Sequence, residues 1–494
     1  MMVKRIASGL FAGALALGAG RAGAAVYYVA VAGDDSAAGT LEKPFASMQR
    51  GQDAASPGDT VFLRGGTYKI GKTPAANAGI HLTKSGTSET KRICYWAYRG
   101  EKPVLDFSAA PLDPTVSGAG IWIEGGDWLY LKGLEIRNVP MTGKRSCNGI
   151  WGNPTSNTVF ENLDIHHNAG AGLFLAYGNG GNMILNCDSH HNYDENSDQG
   201  NGQNADGFGV HYQKSGPPTI LRGCRAWWNS DDGFDCINQG VAVTIEDSWN
   251  ALNGYKPGTT TSAPDGNGNG FKIGGWGNPP AKYPDVIPQH TVRRCLSFLN
   301  KAAGFYQNHQ PVDNFFYNNT AYANHGAAFN MLGYDLAKAA DAGMGIYRNN
   351  VAFQGTATAN ATGADAANNS WDISGLTVAA SDFQSVDTAG VFGPRKPDGS
   401  LPDVAFMKLS ANSHLIGKGK DLGLPFAGSA PDLGAFEYGM TVAIGGRPAA
   451  AGVQSTSAAH AGPEVDALGR WLPEERSINS RRGAFRSALY PAPR

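Results

Sequence analysis

The sequence predicts an all-β protein, a right-handed parallel β-helix of about ten coils with a short N-terminal capping helix. Three observations predict it. Short β-rich segments ending in asparagine recur along the chain. No helical spacing separates them. Three Gly-Phe segments in the middle of the chain overlay as neighbouring strands of a stack would.

The recurring segments are Val159–Asn168, Ile184–Asn192, Ile220–Asn229, Thr244–Asn250, Val292–Asn300 and Phe315–Asn324. Four residues after Asn168, Asn229 and Asn300 come Gly172, Gly233 and Gly304, each followed by Leu or Phe. One unit is therefore strand, asparagine turn, Gly-apolar strand and connection. Asn168 to Asn192 and Asn300 to Asn324 each span 24 residues, whereas Asn192 to Asn229 spans 37. Insertions are expected at 193–205, 254–268 and 275–290. Parallel connections favour the right hand. Asparagine suits the turns because it tolerates the left-handed conformation and bonds its own backbone. Stacked asparagines can also bond along the stack. A β-propeller would need longer units with hairpin turns.

Before the repeats, Tyr27–Ala30 reads as a first strand, Phe45–Ala55 as a short helix and Thr60–Leu63 as a strand. The helix is placed to close the open end of the stack. The first 24 residues read as a signal peptide. Lys4 and Arg5 are followed by the apolar Ile6–Gly20 stretch and the small residues Ala22-Gly23-Ala24. The β-helix domain is assigned to 25–438. From 439 to 494 the composition turns to Ala, Gly, Pro and Arg, which predicts a disordered tail. Net charge is −2, so nothing attracts nucleic acid, and no later stretch is apolar enough to span a bilayer. A secreted monomer is expected.

The Gly-Phe segments are Asp206-Gly-Phe-Gly-Val210, Asp232-Gly-Phe-Asp-Cys236 and Asn269-Gly-Phe-Lys-Ile273. Strand alternation sends Phe and the last apolar residue inward. Gly209, Asp235 and Lys272 then form an outer column, with members about 4.8 Å apart. Asp206, Asp231, Asp232 and Asp235 gather beside Lys272. Such carboxylates would repel one another without a cation, and Ca²⁺ prefers oxygen donors of this kind. A lysine that is neutral part of the time can abstract a proton. A proton α to a carboxylate is acidified by bound Ca²⁺. The reaction this implies is β-elimination from a uronic acid residue. Asp265–Asn269 imitates an EF-hand loop, but Trp276 stands where its bidentate Glu belongs.

The motifs around Asp206, around Asp231-Asp232-Gly-Phe-Asp235 and around Lys272-Ile-Gly-Gly275 resemble those of family 9 polysaccharide lyases, the β-helical pectate lyases. The likeness extends to Gly33-Asp-Asp35, to Pro57-Gly-Asp-Thr60, to Pro397–Pro402 and to Ala430–Phe436. It implies a Ca²⁺-dependent lyase of pectate (polygalacturonate), with the four aspartates as metal ligands and Lys272 as general base. Rhamnogalacturonan or another uronic-acid polymer is the competing substrate. The rival classes are a β-helix glycan-binding protein without activity and a hydrolase with paired carboxylates.

Tyr306, Lys214, Lys301 and Arg294 are candidate substrate contacts, with Lys282 and Arg293 further basic candidates. Trp227, Trp228 and Trp276 read as packing residues. His166-His167 and His190-His191 suggest zinc, but stacking along the repeat explains them and the tryptophans alike. Cys187, Cys224, Cys295 and Cys236 fall in inward columns, where small buried residues are expected.

Overall fold

The computed structural model describes residues 23–75, 77–276 and 286–440. Most of the predicted signal peptide, the tail beyond Met440, part of the 275–290 insertion and Lys282 lie outside these residues. Three sheets run the length of the stack. Sheet one has twelve strands, from Val26–Val29 to Asp365–Ala367. Sheet two has ten, from Gly66–Lys69 to Val351–Phe353. Sheet three also has ten, from Ala78–Leu82 to Thr358–Ala359, in keeping with the expected number of coils. Neighbouring strands in these sheets pair in parallel, and Leu332–Asp335 with Ala340–Gly343 forms a side hairpin. The predicted cap is the helix Met48–Ala54. Ser47 caps it by accepting from the Arg50 N–H, and Met48 and Gly51 turn toward Val29 and Val61.

Side chains of like kind stack up the interior. Phe208, Phe234, Phe271, Phe305 and Phe329 are fully buried and follow one another at 4.8–5.1 Å between ring centroids. Each such burial stabilises the fold by about 1.5–3 kcal/mol. The register pairs Phe234 with Phe271, Asp235 with Lys272 and Cys236 with Ile273. The alternation expected of the Gly-Phe segments therefore holds.

The asparagine turn differs from expectation in two respects. The stacked residue in the fourth unit is Asn253, not Asn250. Asn250 lies within the sheet-two strand Trp249–Ala251, between Ala226 and Ser297 of the adjacent strands. That strand is only three residues long, so the turn asparagine follows close behind it. The ladder runs Asn168, Asn192, Asn229, Asn253, Asn300, Asn324, each Nδ2 donating to the next Oδ1 at 2.8–3.1 Å. Second, these asparagines are not the left-handed residues. The residue before each one is, including His167, Trp228 and Leu252. The buried amide stabilises the turn by bonding the coil above. Asparagine takes the left-handed role at the other turn, between sheets one and two, at Asn162, Asn186, Asn318 and Asn349.

Residues 371–438 form no long element, yet they pack. Phe383, Phe406, Leu409 and Leu433 bury against Trp249, Leu296, Phe298 and Val351 on sheet two. Asp188 fixes this segment through Arg395, with Arg225 on its other side, at 2.6 Å each. The outer face of sheet two is thus covered from the strand Arg225–Trp227 to Val351–Phe353. The histidines stack as expected: His166 on His190 at 4.8 Å, and His190 on Trp227 at 4.1 Å. Trp227 in turn stacks on Phe392, and the Trp228 indole donates to the Thr259 carbonyl. All six cysteines are free, with the four assigned to inward columns fully buried.

Candidate active site

The cluster around Lys272 sits on the outer face of sheet three. Asp206 ends the turn before the strand Phe208–His211, and Asp231 and Asp232 lie in the equivalent turn before Phe234–Cys236. The ladder residues Asn192 and Asn229 set both turns, and Ser230 N–H donates to the Asn192 carbonyl at 3.0 Å. Asp235 and Lys272 are mid-strand and directly opposite one another, and Tyr306 is the next residue of the column.

Lys272 Nζ lies 3.0 Å from Asp232 Oδ2 and 3.1 Å from Asp235 Oδ2. Asp206, Asp231 and Asp232 bring oxygens within 4.8 Å of one another. Every one of the four aspartates is buried. Backbone and amide donors aim them. Asn269 gives both its N–H and its side-chain amide to Asp232 Oδ1, at 2.6 and 2.9 Å. Asn267 N–H reaches Asp231 Oδ1 at 2.6 Å, and Asp232 N–H reaches Asp206 Oδ1 at 3.2 Å.

Asn267 belongs to the 254–268 insertion, which is tied down on both sides. Lys301 Nζ donates to the Ala263 and Gly266 carbonyls, and Asp265 accepts from Asn201 of the 193–205 insertion. Two of the predicted insertions therefore border the site, and one of them shapes it.

Electrostatics set the protonation states. Burial, then mutual repulsion, raises the Asp206 and Asp231 carboxyls well above their ordinary range. Burial raises Asp232 and Asp235 as well, against the pull of Lys272. Burial disfavours a charged Lys272, but the four aspartates outweigh it and its pKa lies well above that of an ordinary lysine. One lysine cannot balance four buried carboxylates. Asp235 Oδ1 is buried and has no hydrogen-bond partner among the described residues. These features fit a hard divalent cation: oxygen donors already converged, excess negative charge and an unsatisfied donor atom.

The predicted residues divide cleanly. The four aspartates, Lys272 and Tyr306 come together. Lys214 is exposed, in the turn that follows Phe208–His211. Lys301 spends its amine on the 254–268 loop. Arg294 and Arg293 do not join the site: both are at the sheet-one edge of their coil, paired with Asp247 and Glu246. His211 escapes the motif overlay. It is buried, its Nε2 is 3.6 Å from Asp235 Oδ2, and its ring meets Phe174 edge-on. Burial and the Lys272 charge lower its pKa to about 3, so it is neutral. Its signal in the sequence is alternation, since it stands two residues after Gly209 on the same face.

A family model, Pel9A-like, right handed beta helix region, matches residues 27–350. The chain belongs to this family. It is a polysaccharide lyase, and the right hand expected of its coils is that of the family. Pectate lyase L of Dickeya chrysanthemi is 37% identical over 414 residues, which cover 83% of this lyase and 90% of that protein. The crystal structure of pectate lyase Pel9A superimposes with a TM-score of 0.68 at 34% identity, covering 84% of this lyase and 96% of the other chain. A rhamnogalacturonan lyase gives 0.70 at 36% identity, covering 78% and 96%.

Proposed function

We infer that this lyase cleaves polygalacturonate by β-elimination, with Lys272 as general base and Asp206, Asp231, Asp232 and Asp235 as a Ca²⁺ site. The observation that carries the reading is the burial of four carboxylates around one lysine. Lys272 Nζ takes the proton from C5 of a galacturonate unit. The C5–H electrons form the C4–C5 double bond, the C4–O4 bond breaks, and the glycosidic oxygen leaves with its electron pair and acquires a proton. When bound, Ca²⁺ draws off the charge of the aspartates and of the substrate carboxylate, which acidifies C5 and frees the lysine from its ion pairs. Asn269 and Asn267 hold Asp232 and Asp231 in place, as partners behind metal ligands do. Tyr306 flanks the sugar. The charged N-terminus and apolar stretch before Ala25 support export, and the protein acts on polymer outside the cell that makes it.

The rhamnogalacturonan lyase neighbour supports a second reading, in which chemistry and site are the same and the polymer differs. The test is ultraviolet absorbance of the unsaturated product from each polymer, with Ca²⁺ added. Faster product release from polygalacturonate supports the first reading. Product from rhamnogalacturonan alone replaces it with the second. Cleavage with no unsaturated product would overturn both.

A further inference from the structure

The column that carries Asp235 and Lys272 continues toward the N-terminal end of sheet three as an aromatic row. Trp122 pairs with Trp151, Trp151 with Phe174, and Phe174 with Gly209, the neighbour of Asp235. All are outward positions, because their flanking residues Ile121, Ile123, Ile150, Leu173 and Leu175 are buried. The two indoles stack with centroids 5.2 Å apart and planes within 13°.

Inside the stack, aromatic columns are fully buried. On sheet two, the outward Trp227 is covered by Phe392 and buried. Trp122, Trp151 and Phe174 are different: each stays partly exposed. Phe174 leans toward the site, its ring edge 2.6 Å from where a Cβ on Gly209 would stand. Tyr177, which is 48% exposed, and Tyr212 stack at 5.1 Å at the strand ends beside this row. Uncovered aromatic surface in line with a site marks a ligand groove.

We propose that Trp151 and Trp122 are stacking subsites for sugar units of the same polymer chain that is cut at Lys272, four and five coils away. The proposal rests on the polysaccharide reading of the Lys272 site. Pyranose rings present C–H faces that pack on flat aromatic surface, and a unit of an extended chain is comparable in length to the strand spacing of about 4.8 Å. The row consists of three uncharged rings. It therefore recognises ring faces rather than carboxylates, and it acts on long chains that reach it.

The test compares Trp122→Ala/Trp151→Ala with the wild type on polygalacturonate and on trigalacturonate. The expected result is that the ratio of polymer to trimer kcat/KM falls about tenfold, a change of about 1.4 kcal/mol carried by KM. Trp122→Tyr/Trp151→Phe, which keeps both rings, restores most of the ratio. Equal losses on the two substrates, or no loss, would overturn the proposal. Retardation in a polygalacturonate gel containing chelator reads the row without turnover. Loss of retardation in the alanine variant supports the row, and unchanged retardation overturns it. Absence of unsaturated product from the wild type would count against the Lys272 reading alone.

Discussion

Lys272 Nζ lies 3.1 Å from Asp235 Oδ2, on adjacent strands in direct register. The pair is more than an ion pair on a sheet. Asp232 stands equally close to the same amine, and two further buried carboxylates share the cluster. Without a divalent cation this arrangement keeps the lysine charged. The lysine and the carboxylate cluster are therefore electrostatically linked.

Asn269 links the site to its support. It donates twice to Asp232 Oδ1 and accepts from the Ala303 N–H. Asn269→Ala is expected to weaken Ca²⁺ binding by about 10–100-fold while the fold is retained. Calorimetric titration with Ca²⁺ checks this, and unaltered affinity would show that Asp232 needs no such support.

The pH dependence of metal binding follows from the raised aspartate pKa values. Burial, with mutual repulsion, keeps protons on these groups to higher pH in the folded chain than in the unfolded one. The metal-free fold therefore loses stability as pH rises from the ordinary carboxylate range through the raised values. Ca²⁺ must displace the same protons, so its affinity grows over that window. Lys272, also raised, contributes stability that is complete below the ordinary lysine pKa and is lost only as pH rises above it. Thermal unfolding with and without Ca²⁺ is expected to diverge as pH rises. Saturation at 100 times Kd adds about 2.7 kcal/mol. A difference independent of pH would contradict the assignment.

Much of this was legible in the sequence. The Gly-Phe segments share one alternation, so overlaying them placed Asp235 against Lys272 in the register found. The asparagine repeat located the coils but misplaced one ladder member, because Asn250 and Asn253 lie within three residues and both are buried. His211 belongs to no motif. Trp122 and Trp151 precede the central stretch, and their alignment with Lys272 depends on pairings through four intervening strands. The covering of sheet two by residues 371–438 has no periodic signal, since irregular chain buries scattered side chains.

Asn253→Ala removes the acceptor of both the Asn229 N–H and its Nδ2, and a donor to Asn300, in a fully buried row. The expected loss is about 3 kcal/mol, since buried polar groups are left without partners. Denaturant unfolding measures it. A loss below about 1 kcal/mol would mean that the ladder adds little beyond an ordinary hydrogen bond.

Against the cost of burial, Arg395 and Arg225 hold the Asp188 carboxyl down at about 2. This contribution is present above the ordinary aspartate pKa and is lost as pH falls through about 2. Arg395→Ala is expected to cost about 3 kcal/mol and to open residues 371–438 to proteolysis. An unchanged cleavage pattern would mean that the apolar contacts on sheet two hold the segment unaided.

The most direct measurement is ultraviolet absorbance of polygalacturonate incubated with the protein, with Ca²⁺, with chelator, and with Lys272→Ala in place of the wild type. The expected result is a rise with wild type and Ca²⁺, lost in chelator and lost in the variant even at saturating Ca²⁺. A rise that persists in Lys272→Ala at the wild-type rate would contradict the assignment of the base.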